Sequence, residues 1–361
     1  MSERQPIEAA RALLQEAVSN RIFPAAVAEV GSRDGVIWRE AFGTLTFDTA
    51  AATTDATIFD LASVTKPIAT TSLVLQLMAA HAISLETPVA AIFPEWSGPD
   101  RAAATILDLL EHSSGLPARL IDAPPTTRRE FEHDICALPL EYAPRTRSIY
   151  SDLDFILLGF FVEDRGGATL ARQLEDILER LATVVPRDEA DFLSYRVPLA
   201  SRGRVAPTVA MPEDVRRGQR LVGDVHDNYA AALGGVAGHS GLFATSGGVG
   251  WFARAVLRAS LDDRVIPPPL TPPLVHRATH KSTVPNSSRA LGWDTMLPTS
   301  SCGTEMSPAA FGHVGYTGTS IWIDPVLDRY FVLLTNRVCG GGTSEQMQIV
   351  RRTFHNVLAK T

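Results

Sequence analysis

Two rhythms of apolar and polar positions run along the chain, and their order predicts its layout. Residues 6–19 place Ile7, Ala10, Leu13, Leu14, Ala17 and Val18 at the spacing of one helix face. The run AAVAEV (25–30), the turn Ser32-Arg33-Asp34-Gly35 and the run VIWREAF (36–42) read as a β-hairpin. The other end of the chain mirrors this. Ser320 to Asp324 and Tyr330 to Thr335 are strand-like runs joined by a short loop containing Pro325, and a helix follows from about Ser344 to Leu358. Between the ends, helical periodicity dominates around 65–80, 105–112, 153–165, 169–182 and 248–260. Residues 184–228 follow no period, and Pro267-Pro268-Pro269 with Pro272-Pro273 predicts a break in regular structure. No internal repeat is visible.

This pattern predicts an α/β (α+β) fold. Both chain ends feed one antiparallel sheet flanked by helices, and the middle forms a mainly helical part. The expected boundaries are 1–62 with 285–361 for the sheet part and 63–284 for the helical part, with a cleft between them as the natural active site.

Composition narrows the function classes. Of 361 residues, 45% are apolar and 20% charged, which suits a folded globular chain and excludes a disordered or collagen-like one. The net charge of −7 supplies no basic footprint, so nucleic acid is not an expected partner. The most apolar stretch, Ile68 to Ile83, is interrupted by Thr70, Thr71, Ser72, Gln76 and His81, so no membrane span is predicted. The first residues show no basic region followed by an apolar core, which predicts a cytoplasmic location. Cys136, Cys302 and Cys339 are too few and too scattered for a disulfide framework or a metal cage. Only three of the 33 basic residues are lysines, Lys66, Lys281 and Lys360, so chemistry that needs a neutral amine has three candidates.

One of those lysines lies in Ser63-Val64-Thr65-Lys66. Positions three apart share a helix face, so hydroxyl and amine can meet. Pro67 is tolerated in a first helical turn, which places the helix start near Ser63 and the serine close to free backbone N–H groups. The helix that follows is apolar all round, so it is expected to be buried, and burial pushes a lysine pKa down toward that of a usable base. A serine beside such a base is an activated nucleophile; the same residues also suit a plain helix cap with Lys66 in solvent. Tyr150-Ser151-Asp152 opens a helix, where a tyrosine near a lysine can be held as phenolate or pass a proton; taken alone, the same residues read as a tyrosine covering the core with Ser151 or Asp152 as a cap. His313-Val314-Gly315-Tyr316 leads into the strand IWID, and a glycine there lets a substrate approach the backbone.

Taken in order, these three motifs resemble the Ser-x-x-Lys, Tyr-x-Asn and Lys-Thr-Gly or His-x-Gly series of class C β-lactamases. Their relatives are the DD-peptidases (low-molecular-mass penicillin-binding proteins) and the related esterases of the family VIII type. LLEHSSGLP (109–117), GHSGLFATSGGVGWFARAVL (238–257) and GHVGYTGTSIWIDP (312–325) are similar to further segments of that family, and the resemblance runs from about residue 20 to 357. It implies a β-lactamase/transpeptidase-like fold and a serine hydrolase that works through an acyl-enzyme without metal or organic cofactor. By position, it makes Ser63 the nucleophile and lets Lys66 and Tyr150 share base and acid duty. The N–H groups of Ser63 and Tyr316 become the oxyanion donors, and Asp152, His313 and Gly315 line the substrate site.

Two departures bear on the substrate. Asp152 stands where lactamases have asparagine, and a carboxylate there favours charged Lys66 and repels an anion. His313 stands where many have lysine, and a mostly neutral imidazole anchors a carboxylate less well. The expectation is a small neutral ester, lactone or amide, unless an arginine such as Arg289 or Arg337 supplies the missing charge. Acyl transfer on the same fold, with an acceptor site in loops 184–228 and 262–289, is one alternative. A DD-peptidase and a non-enzymatic acylated sensor or scaffold are others. Oligomeric state is not readable.

Other patterns read as structure. Gly238-His239-Ser240-Gly241 lacks the last glycine of a nucleophile elbow and reads as a turn. His112-Ser113-Ser114-Gly115 reads as a helix end at Gly115. His276 and His280 lack a third ligand and read as solvated. Gly247-Gly248 has no following lysine and is no phosphate loop, and Arg128-Arg129, Arg216-Arg217 and Arg351-Arg352 read as solvated faces.

Overall fold

The computed structural model describes residues 4–120 and 124–360; the extreme ends of the expected sheet part, 1–3 and 361, lie outside the described residues. Its main sheet has six antiparallel strands: β1 (Ala25–Gly31), β2 (Val36–Gly43), β3 (Asp294–Thr295), β4 (Phe311–Val314), β5 (Ser320–Asp324) and β6 (Arg329–Thr335). Their order is β2-β1-β6-β5-β4-β3, so the first and last hairpins of the chain pair at the centre through β1 and β6. The helices are α1 (Arg4–Ser19), α2 (Ser72–Ala79), α3 (Ile106–Leu110), α4 (Arg128–Ala137), α5 (Asp152–Gly166), α6 (Leu170–Ala182), α7 (Asn228–Ala232), α8 (Ser246–Ser260), α9 (Pro272–Thr279) and α10 (Ser344–Leu358).

Strand periodicity separates two cores. On β6, Phe331 and Leu333 face a cluster with Ala10 and Leu14 of α1 and Val350 and Phe354 of α10. Tyr330, Val332 and Leu334 face the opposite cluster, which continues through α8 into the helices α2, α5 and α6. The sheet is thus sandwiched, with α1 and α10 on one face and α8 on the other. No helix among the described residues is long and apolar enough to cross a membrane.

Three local expectations change. The Ser63 segment is not the start of one α-helix: a 3₁₀ turn at Ala62–Val64 passes into a π-helical stretch, Lys66–Thr71, and only then into α2. Pro67 sits in the first turn of the π-helical stretch, where its missing N–H costs nothing. Pro272-Pro273 does not break structure but opens α9, for the same reason. Helix α3 ends before Gly115, at Leu110, and His112 itself takes the left-handed conformation at φ +55°.

The irregular segment 184–228 carries short pairings. Among them, Leu193–Ser194 joins Phe243–Ala244, which joins Phe59–Asp60, the strand end that leads into Ser63.

Candidate active site

Three residues before the nucleophile candidate, Asp60 is buried and its carboxylate accepts the N–H groups of Ala62 (2.8 Å) and His226 (2.7 Å). Ala62 is held at φ +47°, a conformation that costs a residue with a Cβ about 1–3 kcal/mol unless its surroundings impose it. The surroundings do. Thr317 donates to the Asp60 carbonyl (2.7 Å) and Thr319 to the Leu61 carbonyl (2.9 Å), so the turn after β4 is fastened to the backbone that precedes Ser63. Gly315 is required for this approach, because a Cβ there would lie 2.3 Å from the Leu61 carbonyl oxygen.

The turn brings Ser63 Oγ to 3.0 Å from Lys66 Nζ. The lysine is fully buried, and its ammonium also donates to Asp152 Oδ1 (2.8 Å) and to the His239 carbonyl (3.1 Å). Burial disfavours its charge, yet the Asp152 carboxylate, with the hydrogen bonds to Asp152 and Tyr150, outweighs it, and its pKa is raised above the ordinary lysine value. This corrects the expectation of a lysine whose pKa is lowered by burial.

Tyr150 enters from the segment before α5. Ser151 fixes that entry: its hydroxyl donates to the Pro117 carbonyl (2.7 Å) and caps the helix by accepting from the Leu153 N–H (3.2 Å). Lys66 Nζ lies 4.7 Å from the centre of the Tyr150 ring, and the phenol interacts with both Lys66 and Ser63. Burial raises the tyrosine pKa despite Lys66, so Tyr150 rests as a neutral phenol, not as phenolate.

His313 Nδ1 donates to the Val314 carbonyl (2.8 Å), which leaves Nε2 as an acceptor without a partner. Burial, with Lys66 and Arg289 nearby, holds its pKa well below the usual value, so the ring is neutral. Tyr316 stacks on His226, its ring centre 5.7 Å away. Among the described residues no backbone carbonyl takes the N–H of Ser63 or of Tyr316, which leaves both for a ligand. Ser63, Tyr150, His313, Gly315 and Tyr316 all open onto one cavity of about 310 Å³. All seven residues named from the motifs therefore meet at one place: five line that cavity, and Lys66 and Asp152 lie behind Ser63.

Several contributors carry no motif. Arg119 bridges Asp152 Oδ2 (3.0 Å), Asp227 Oδ2 (3.1 Å) and Asn228 Oδ1 (2.5 Å). Asp227 in turn binds His239 Nε2 (2.7 Å), and His239 with Arg119 holds its carboxyl well below the usual range in spite of burial. The 238–241 turn is thus part of the site, through the His239 carbonyl on Lys66. His112 packs on Tyr150 with ring centres 4.7 Å apart and accepts the Ser151 N–H at Nδ1 (3.2 Å). Arg289, Arg337 and Arg351 line the cavity with one acid, Asp294. Arg351 corrects the reading of 351–352 as a solvated face: it is 8% exposed, because it points from α10 into the turn after β4. Arg216 is also half-buried, against Asp214, whereas His276 and His280 are exposed.

Comparison with known proteins bears on the fold and the family. The family model described as Beta-lactamase matches residues 10–350. A putative D-alanyl-D-alanine carboxypeptidase of Escherichia coli is 30% identical over 338 residues, covering 84% of this chain and 76% of that protein. The solved structure of EstCE1, a hydrolase with promiscuous acyltransferase activity, superposes with a TM-score of 0.76 at 16% identity, covering 98% of this chain and 99% of that one. A class C β-lactamase from Rhodobacter sphaeroides superposes with a TM-score of 0.73 at 19% identity, covering 97% and 98%. The two structural likenesses speak for the fold; the family match and the carboxypeptidase relative speak for descent and chemistry. With both in place, the chain belongs to the beta-lactamase family and is a serine hydrolase.

Proposed function

We propose that the protein hydrolyses small esters, lactones or amides through an acyl-enzyme on Ser63. The observation that carries this reading is the 3.0 Å contact between Ser63 Oγ and Lys66 Nζ beneath a cavity that Tyr150 also enters. The substrate carbonyl sits between the N–H groups of Ser63 and Tyr316. Lys66 in its free-amine form, its extra proton lost to solvent, takes the Ser63 proton as Oγ attacks. The leaving alcohol or amine collects its proton through Lys66 and Tyr150. Water then enters, gives its proton to the same pair, and releases the acid and Ser63. Replacing Ser63 by alanine tests this: turnover of a p-nitrophenyl ester falls about 10⁶-fold if the group acts as a unit. Retention of most activity would overturn it.

A second reading, a substrate with a free carboxylate such as a peptide ending in D-Ala-D-Ala, is favoured by Arg289. Its guanidinium faces the cavity above the Tyr150 ring (5.0 Å), and among the described residues its nearest carboxylate is Asp294, at 4.0 Å. The related carboxypeptidase's name points the same way. Arg289→Gln separates the two readings. A role in anion binding lowers kcat/KM about 10–100-fold for a carboxylate-bearing substrate while a neutral ester changes less than about threefold. Equal effects on both substrates remove the second reading.

A further inference from the structure

Arg351 is a buried cation without an acid. It reaches from α10 to the turn after β4, and among the described residues no carboxylate lies within ion-pair distance of it. Buried charges are normally paired, since desolvation costs several kcal/mol per ion. Burial, followed by the neighbouring Arg337, brings its pKa down to about 9, which leaves it charged at neutral pH. Its terminal nitrogen donates to two carbonyls, Gly315 (2.6 Å) and Thr319 (2.8 Å).

The first of these contacts has a chemical meaning beyond tying a turn. The Gly315 carbonyl and the Tyr316 N–H belong to the same peptide unit. A cation bound at the carbonyl oxygen draws electron density from the amide nitrogen, so the N–H at the other end becomes a stronger donor. That N–H belongs to a residue lining the same cavity as Ser63 and is taken by no backbone carbonyl among the described residues. Arg337 acts on the next peptide, donating to the Tyr316 carbonyl (2.6 Å) and to the Gly342 carbonyl (2.9 Å).

We propose that Arg351 is a positioning residue for the oxyanion: bound at the Gly315 carbonyl, it orients and polarises the Gly315–Tyr316 peptide, so that the Tyr316 N–H stabilises the tetrahedral intermediate formed on Ser63. This rests on the reading of Ser63 as nucleophile. It accounts for an arginine, with its fixed charge, at a place where a neutral donor would fasten the turn equally well. The positive charge lies at the carbonyl end of the peptide whose N–H meets the developing negative charge.

The test compares Arg351→Met, Arg351→Gln and Arg351→Lys with the native enzyme on a neutral p-nitrophenyl ester. Gln keeps a hydrogen-bond donor for the turn without the charge, so it remains informative if the Met variant fails to fold. Losing a whole oxyanion donor costs about 10²–10³ in kcat, so weakening one is expected to cost about 10–100-fold, with KM within about twofold. A boronic acid, which forms a tetrahedral adduct with the serine, should lose affinity by a similar factor. Lys should recover most of the loss. Native kcat in the Gln variant, a change confined to KM, or a loss seen only with anionic esters would overturn the proposal. A Ser63→Ala control run alongside keeps the two readings apart. If Ser63→Ala is inactive and Arg351→Gln is native, only the arginine proposal fails; if Ser63→Ala is active, the nucleophile itself is wrong.

Discussion

Lys66 and Asp152 form a buried ion pair, Nζ to Oδ1 at 2.8 Å, and the second oxygen of the same carboxylate is held by Arg119 at 3.0 Å. The carboxylate is divided between the lysine that must lose a proton and an arginine that never does. From Arg119 the chain of charges continues to Asp227 and His239, whose backbone carbonyl returns to Lys66 at 3.1 Å. Tyr150 approaches Lys66 from the same segment as Asp152, and the rings of His112 and His313 stand nearby as neutral groups.

This arrangement has a signed consequence for pH dependence. Asp152 raises the pKa of Lys66, so Asp152→Asn removes that bias and the lysine becomes a free amine at lower pH. The acid limb of kcat/KM should move to lower pH. Arg119→Gln should move it the other way, because Asp152 then acts on Lys66 alone. Profiles measured from pH 4 to 10 on one neutral ester decide the matter. Shifts of the same sign in both variants would mean that the network holds structure and does not set the protonation of Lys66.

Gly315 is expected to tolerate no side chain. An added Cβ meets the Leu61 carbonyl oxygen at 2.3 Å and Thr319 Oγ1 at 2.2 Å, both parts of the clamp that fixes Ala62 and Ser63. Gly315→Ala should lower kcat at least about 100-fold, since it displaces an oxyanion donor, and should cost about 1–3 kcal/mol of stability by overpacking. Steady-state kinetics with denaturant unfolding of the same preparation check both numbers. Native kinetics would show that the clamp is slack.

Asp60 offers a test that does not involve catalysis. Burial, only partly offset by the N–H groups of His226 and Ala62, raises its pKa to about 6, against ~3.9 for an unfolded chain. Between those values the folded protein holds the extra proton. Its contribution to stability is therefore greatest below about pH 4 and is lost as pH rises through about 6. The unfolding free energy of native protein relative to Asp60→Asn should fall by on the order of 2–3 kcal/mol from pH 3.5 to 7 and then level off. A difference that rises with pH would mean the carboxylate is stabilised as an anion.

Much of this was legible before any coordinates, and for identifiable reasons. The four runs that became β1, β2, β5 and β6 are rich in strand-forming apolar residues and sit beside turn residues, so pattern alone places them in antiparallel hairpins. The Ser63–Lys66 contact was legible because three-residue spacing in any helical turn brings the side chains together. Burial of charge was not. Arg351 follows the apolar Val350 and precedes Arg352, and nothing in that order says that one arginine enters the site while its neighbour remains half-exposed. Arg119, Asp227 and His239 meet Asp152 and Lys66 only through the tertiary fold, from positions 33 to 173 residues apart in the chain. His112 stops its helix by taking positive φ itself, which moves the helix end away from the glycine that signals it and sets the imidazole against Tyr150.

The central claim is that the hydroxyl at position 63 is the group that becomes acylated, and labelling tests it most directly. The native protein is treated with a fluorophosphonate, digested and mapped by mass spectrometry. The account predicts a single adduct on Ser63, formed far more slowly in Lys66→Met and absent in Ser63→Ala. An adduct on Ser240, Ser114 or any other serine that persists in Ser63→Ala would contradict it.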